Sequence, residues 1–306
     1  MFAIHENPEW WPPFQAAFER EGVPAEQWLL TDGSIDLSSE PPQGVFWSRL
    51  SASAHTRDHA ASKEYGRAVL RWLESWGRTV IGGSGTLEFE MSKVAQHAAL
   101  RAAGIDVPRT VAVFGTGDLK QRARAFATPF ISKHNQGGKG LGVRRWDAHD
   151  DFDAWVDGPD FEPSPDGITL IQEFLATREP FITRAEYVGG EFVYAVRVDT
   201  SAGSFELCPA DACAVDGAAL PPFALRAEIT ADHPLVTQHR AFLASAGIRI
   251  AGLEFAETQD GRLVTYDLNT NTNYNPDVEA VAPRSGPGEI ARFLGALLDA
   301  AVPAPV

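Results

Sequence analysis

Cysteine is scarce in this chain: Cys208 and Cys213 are the two among 306 residues, both within "ELCPADAC". So few argue against the disulfide framework of a small secreted fold. A Cys-x4-Cys pair with no second Cys/His pair is also a poor zinc site, which leaves reduced, partly buried thiols. Basic charge is short as well. Lys and Arg number 26 against 41 Asp and Glu, for a net charge of −15, which argues against a nucleic-acid binder and its basic footprint. No apolar run approaches the roughly 18 residues of a membrane span. The opening "MFAIHENPEWWPPF" has no basic segment followed by an apolar one, so no signal peptide is expected. These absences predict a cytoplasmic protein with neither a membrane nor a nucleic-acid partner. Internal repeats and low-complexity tracts are missing too, and the tail "VPAPV" is expected to fray.

The usual nucleotide fingerprints are absent. A P-loop needs G-x-x-x-x-G-K followed by Ser or Thr. Here Gly138-Lys139 is followed by Gly140, and the position five before Gly138 is Lys133. The Rossmann G-x-G-x-x-G fails twice, since "GSGTLE" ends in Glu88 and "GTGDLK" in Lys120. No kinase H-R-D or D-F-G set is present.

What is present is ordinary globular composition, 44% apolar and 22% charged. The length suits two or three small domains. Residues 1–90 read as an open parallel α/β unit. It has a helix in "PEWWPPFQAAFEREGV", strands in "QWLL", "GVFWSR" and "RTVIGG", and a long amphipathic helix in "HTRDHAASKEYGRAVLRWLESWG". In that helix Ala68, Leu70, Leu73 and Trp76 recur near helical spacing. Residues 91–171 read as a second unit, opening on a helix "EMSKVAQHAALRAAGI" stopped by Gly104. Strands "RTVAVF", "PFISK" and "GITLIQEFL" and two helices follow. Residues 172–306 carry two antiparallel hairpins, one turning on Gly189-Gly190 and one on Asp260-Gly261. The fold class expected is α/β followed by α+β.

Two stretches carry chemistry. "SKHNQGGKGLGV" lies between strands and is rich in glycine and lysine. It is either a flap whose N–H groups and lysines meet phosphate, or a solvated connection between strands. "TYDLNTNTNYNPD" places Asp267, Asn269, Asn271, Asn273 and Asn275 at alternate positions. If extended, the stretch projects all of them on one face. One carboxylate and a row of carboxamides suit a hard cation such as Mg2+; an Asn-rich turn with helix caps is the alternative. Pairing across Asp260-Gly261 places Glu254 opposite Asp267, a repulsive arrangement unless a cation lies between them.

Taken in order, "MSK", "AGIDVPRT", "PFISK", "GGKGLGV", "IQEFL", "VGGEFVYAVRVD" and "GLEF…DGRLVTYDLN" resemble the ATP-grasp superfamily, in particular its RimK-like (alpha-L-glutamate ligase-like) carboxylate–amine ligases. The resemblance runs from about Ser48 to the end. It implies an ATP-grasp fold: an N-terminal α/β domain, a central lid domain and a C-terminal antiparallel-sheet domain, with ATP between the last two. It implies ATP and Mg2+ (or Mn2+) as cofactors. Lys93, Lys133 and the loop Gly137, Gly138, Lys139, Gly140 and onward to Gly142 would meet the phosphates. Gln172, Glu173, Phe174 and Leu175 would form the hinge beside adenine, with Glu173 accepting its amino hydrogen and Leu175 offering its backbone N–H, and Glu179 would reach the ribose. Glu254, Asp267 and Asn269 would hold metal, the acid types exchanged relative to the more usual Asp … Glu-x-Asn.

Arg184 and Arg197, on the strands flanking Gly189-Gly190, would meet phosphate or the tetrahedral oxyanion. Arg184 matches the arginine of a D-x-R motif whose acid is replaced here by Ile182, and Glu206-Leu207-Cys208 stands where glutamate ligases show R-x-N. These departures leave ATP use intact and argue against glutamate as the assumed substrate. Arg49, His55 and Arg57 in "SRLSASAHTRDH", together with Asn271, are candidate substrate contacts; a helix cap with surface charges is the alternative for that stretch. The expected reaction joins a carboxylate to an amine through an acyl phosphate, releasing ADP and phosphate. The substrates would be amino acids or peptides, with a carrier protein or peptide acceptor and a homodimer or homotetramer among the implied partners. Phosphotransfer to a small molecule and a non-catalytic nucleotide-binding module are the rival readings.

Overall fold

The computed structural model describes residues 1–138, 140, 142–201 and 222–301. Lys139, Leu141, Glu206-Leu207-Cys208, Cys213 and the tail "VPAPV" lie outside the described residues.

The N-terminal strands β1 (Phe2–His5), β2 (Glu26–Leu29), β3 (Val45–Ser48) and β4 (Thr79–Ile81) form a parallel sheet in the order β2-β1-β3-β4. Helix α1 (Pro12–Arg20) connects β1 to β2, and α2 (Ser62–Ser75) connects β3 to β4. The helix expected from His55 begins only at Ser62. Ala54–Arg57 is a separate 3-10 turn, and Asp58 at φ 60° breaks the run. The buried stripe of α2 is Gly66, Val69, Leu70 and Leu73; Ala68 and Trp76 are exposed. β-Branched Val69, not Ala68, therefore keeps the apolar spacing.

The helix expected over "EMSKVAQHAALRAAGI" is two helices, α3 (Ser84–Met91) and α4 (Lys93–Ala102). Ser92 divides them because its backbone is extended and its hydroxyl caps α4, accepting from Ala95 N at 3.2 Å. The middle sheet, in the order β5-β8-β6-β7, is antiparallel and built from β5 (Thr110–Phe114), β6 (Phe130–His134), β7 (Arg144–Trp146) and β8 (Ile168–Glu173). Helices α5 (Leu119–Ala123) and α6 (His149–Asp157) cover it through Phe126, Phe130, Trp146 and Phe152.

The last sheet has the order β11-β10-β9-β12-β13 and is antiparallel throughout. It comprises β9 (Phe181–Val188), β10 (Glu191–Asp199), β11 (Phe223–Leu225), β12 (Ile250–Glu257) and β13 (Leu263–Asn269). Gly189 and Gly190 turn β9 into β10 with φ of 66° and 86°, as a two-residue hairpin of this hand demands. One face of the sheet packs Ala185, Leu253 and Phe255 on α7 (Pro234–Ala246) and α4. The opposite face carries the polar residues of the candidate site. The chain ends in α8 (Pro276–Val281) and α9 (Gly286–Ala301). Helix α9 packs on α1 and β3, so Ile290 and Leu294 share a core with Phe14, Phe18 and Trp47. That shared core ties the C-terminal segment to the N-terminal sheet and closes one side of the cavity described next.

Candidate active site

Three neighbouring strands set the site. On β12 and β13, Phe255 pairs with Thr265 but Glu254 pairs with Asp267, so Tyr266 is an extra residue bulged from β13. Below the bulge Glu257 pairs with Leu263, which centres the loop on Asp260 and not between Asp260 and Gly261. The two expected carboxylates do face each other, and the bulge is the reason. Tyr266 then donates its hydroxyl to Glu254 Oε2 at 3.0 Å, and Asn269 Nδ2 donates to Glu254 Oε1 at 3.4 Å. On the next strand Arg184 pairs with Glu254, and Glu186 pairs with Gly252. Arg184 Nε lies 2.6 Å from Glu186 Oε1, and its Nη1 lies 3.8 Å from Glu254. A Cβ at Gly252 would stand 2.7 Å from Arg184 Nε and 3.1 Å from Glu186 Oε2, so the ion pair lies directly over this glycine of β12.

Helix α4 presents Lys93 to this face. Gln96, one turn on, donates to Leu268 O at 2.8 Å and accepts from Leu268 N at 3.1 Å, which fixes α4 against β13. Lys93 Nζ is ion-paired with Asp267. From the other side, Asn135 O accepts from Lys93 N at 3.2 Å and Asn135 Oδ1 accepts from Val94 N at 2.8 Å. The end of β6 is thereby clamped to the start of α4, and Lys133 on β6 points inward, 5% exposed.

The charges here are strongly coupled. Burial opposes ionisation of Asp267, but Lys93 and Lys133 outweigh it and hold its carboxyl below the usual range. Burial and the facing Asp267 push Glu254 up. Burial, with Lys93 adding repulsion, pulls Lys133 down to about 7. Burial raises Glu186 to about 7 against the pull of Arg184.

Two cavities meet at these residues. One, of about 380 Å³, has a mostly apolar lining that includes Ile131, Val143, Phe174, Leu175 and Ile182, with Lys133 and Gln172 among its polar groups. The other, of about 180 Å³, is lined by Arg184, Glu186, Asn269 and Asn271 among others. Lys93, Gly137, Gly138, Gly140, Glu254 and Asp267 belong to both walls.

No protein-family model matches the chain. It is 26% identical over 228 residues to a probable alpha-L-glutamate ligase of Xanthomonas axonopodis pv. citri (strain 306), covering 72% of this chain and 69% of that protein. Among solved structures, a RimK domain protein ATP-grasp from Sphaerobacter thermophilus DSM 20745 matches with a TM-score of 0.68 at 18% identity, over 95% of this chain and 98% of that one. The ATP-grasp ligase PsnB complexed with minimal precursor, Mg and ADP matches with a TM-score of 0.65 at 15% identity, over 96% of each chain.

The chain has the ATP-grasp fold.

Within this fold, the structure brings together Lys93, Lys133, Gly137, Gly138, Gly140, Gln172, Phe174, Leu175, Arg184, Glu254, Asp267, Asn269 and Asn271 around the two cavities. Six other expected site residues lie elsewhere. Arg197 pairs with Thr183, one position out of phase with Arg184, so it projects from the opposite face of the sheet. There it lies over the Phe181 ring at 4.7 Å and 3.4 Å from Asp199. The Glu173 carboxylate accepts from Arg109 N at 2.8 Å and faces Arg262, outside the larger cavity. Glu179 is exposed beside that cavity, whose wall at this point is Thr177 and Pro180.

In the first unit Arg49 is buried under the site, stacked 4.0 Å from the Phe14 centroid and donating to Thr272 O and Asn273 Oδ1. Arg57 forms a bidentate pair with Glu6 at 2.7 and 3.2 Å, and His55 Nδ1 meets its own turn at Ala52 O. The wall this stretch provides is instead Ser51 and Ser53. The Asn row is also divided: β13 stops at Asn269, yet Asn271, Asn273 and Asn275 still line the smaller cavity. Asn275 caps α8 as well, accepting from Asp277 N and Val278 N at 3.0 and 3.1 Å.

Glu186 and Glu90 were not anticipated. Glu186 had a readable signal, being two residues from Arg184 on the same strand and therefore on the same face. Glu90 had none, because its position depends on α3 meeting Thr270, whose N and Oγ1 both donate to it at 2.8 Å.

Proposed function

We propose that this protein is an ATP-dependent carboxylate–amine ligase that forms an amide bond through an acyl phosphate and releases ADP and phosphate. One observation carries the reading: the carboxylates, the lysine and the glycine loop form the common wall between an apolar cavity and a polar one. A nucleotide in the larger cavity, with its base against Phe174 and Leu175, would direct its γ-phosphate at that wall. Both cavities together fall within the size range of small-molecule sites, about 300–1,000 Å³.

The donor set also fits a hard divalent cation. Glu254 and Asp267 face each other, Asn269 adds a carboxamide oxygen, and all are oxygen donors of the kind Mg2+ takes. When bound there, Mg2+ would supply positive charge to the phosphate oxygens. The PsnB complex with Mg and ADP supports the same pairing of nucleotide and metal.

The chain's own residues do the rest by positioning and charge. Lys93 and Lys133 meet the triphosphate, and the backbone N–H groups of the glycine loop cover it. A substrate carboxylate in the polar cavity attacks the γ-phosphorus, ADP leaves, and an amine then attacks the acyl carbon. Arg184, between Glu186 and Glu254, is placed to take the oxyanion of that tetrahedral step, after which phosphate leaves with the carboxylate's bridging oxygen and the nitrogen loses its proton. The three sheets suggest domains of residues 1–90, 91–171 and 172–306. Use of Mn2+, a homodimer or homotetramer, a peptide or carrier-bound acceptor and a cytoplasmic setting belong to the same proposal, on the strength of the resemblance.

The test is product analysis with ATP, Mg2+ and an amino-acid panel, read by mass spectrometry. ADP, phosphate and a condensed product are expected together. AMP and pyrophosphate would overturn the acyl-phosphate route. ADP with a phosphorylated small molecule and no amide would favour phosphotransfer, and nucleotide binding without any turnover would favour a binding module.

A further inference from the structure

The smaller cavity has a chemical preference of its own, and it rests on the ligase reading only for the direction from which the γ-phosphate arrives. Glu186 is 2% exposed on β9. Its Oε1 is taken by Arg184, but Oε2 is buried with no hydrogen-bond partner. Asn271 Oδ1 is likewise buried without a partner, and both residues line this cavity. An unsatisfied buried acceptor is costly, and native proteins leave few of them. Two such acceptors on residues lining one space of about 180 Å³ call for donors, while the unpartnered Arg184 Nη2 on the same wall calls for an acceptor. A primary ammonium carries three donors and no acceptor.

Charge and shape point the same way. The cavity's charged lining is Glu90, Glu186, Glu254 and Asp267 against Lys93 and Arg184; with Glu254 and Asp267 assigned to metal, two acids and two cations remain, a balanced set that suits a zwitterion. A second carboxylate on the substrate would find Lys93 already paired with Asp267 and Arg184 with Glu186, and would be repelled by Glu186 and Glu90. The remaining wall includes Val196, Val198 and Phe223, which offer an apolar surface and no cation for a side-chain carboxylate. The volume equals that of about six waters, room for one amino-acid-sized group.

We propose that this cavity takes an α-amino acid, or a peptide terminus, with an apolar side chain, its ammonium held by Glu186 and Asn271 and its side chain against Val196, Val198 and Phe223. Glutamate is then disfavoured at this position.

Calorimetric titrations of the full chain with Mg2+ and a non-hydrolysable ATP analogue test this, using L-leucine, L-phenylalanine, L-glutamate and N-acetyl-L-leucine as probes. Leucine or phenylalanine should bind at least about tenfold more tightly than glutamate and than N-acetyl-leucine, which has lost the ammonium; tenfold corresponds to about 1.4 kcal/mol. Glu186→Gln should weaken amino-acid binding by a similar factor while leaving affinity for the ATP analogue unchanged. Asn271→Ala is a second variant, at a half-buried position, and should show a smaller loss. The comparison of leucine with its N-acetyl form needs no variant, so a folding defect in Glu186→Gln does not decide the outcome. Preferred binding of glutamate, equal binding of N-acetyl-leucine, or no binding of any probe overturns the assignment. Amide formation with glutamate would keep the ligase reading and sink this one. Leucine binding without ADP formation would do the reverse.

Discussion

Arg184 and Arg197 show how much one position of register decides. Both flank the same glycine turn, yet Arg184 pairs with Glu254 and Arg197 pairs with Thr183 on the other face. Arg184→Ala should lower kcat/KM by about 100-fold or more, the usual loss for a group that stabilises a developing oxyanion. Arg197→Ala should stay within about threefold, as substitutions away from a site generally do. Steady-state kinetics on the two variants checks the contrast. Asp267→Asn keeps shape but removes the charge facing Glu254 and pairing with Lys93, and turnover should fall by about 100-fold or more.

Lys133 gives a signature in protons. Its folded pKa of about 7 lies below the unfolded lysine value near 10.4. Between those values the unfolded chain binds more protons, so the cost of burying Lys133 is fully present below pH 7 and stability rises with pH across the window. A triphosphate against the ammonium favours its charged form. MgATP binding at about pH 8 should therefore be accompanied by proton uptake, seen as a dependence of binding heat on buffer ionisation enthalpy. Lys133→Gln should abolish that uptake.

Among the elements, Ser92 separates α3 from α4 and places Lys93 in the first turn of α4. Ser92→Ala should cost about 1 kcal/mol in stability, the usual worth of an N-cap, measurable by denaturant unfolding. The same variant should raise KM for ATP more than it lowers kcat, since the change is in how Lys93 is held. Strands β1 and β11 were not among those expected, but most strands and both hairpins were legible because period-two alternation and the Gly189-Gly190 turn are local signals. Helix α3 was not, since its buried positions Ser84, Thr86, Leu87 and Met91 include two small polar residues and leave no apolar stripe. The bulge at Tyr266 was hidden too. Alternation in "LEF" and "TYDLN" permits the Glu254–Asp267 pair, but Tyr266 leaves the ladder through a tertiary hydrogen bond to Glu254. The convergence of Lys93, Lys133, Glu254 and Asp267 on one cavity was readable from order and spacing. The positions of the Arg49, Arg57 and Glu173 side chains were not, because each is held by a partner from a distant segment.

Across the whole molecule, α9 packs on α1 and β3 while the glycine loop and α4 face β13, so a cleft lies between the middle and last sheets. The N-terminal unit closes its polar end through Ser51 and Ser53. On the proposed reading, an acidic chain of net charge −15 would handle an anionic nucleotide because its lysines converge locally and two carboxylates would hold a cation. The proposed reaction requires transfer of a phosphoryl group to a carboxylate oxygen in that cleft. The most direct measurement is isotope transfer. With a carboxylate substrate labelled in both oxygens with 18O, the phosphate released during amide formation should carry one 18O. Unlabelled phosphate alongside the amide, or label recovered in AMP, would contradict the acyl-phosphate mechanism.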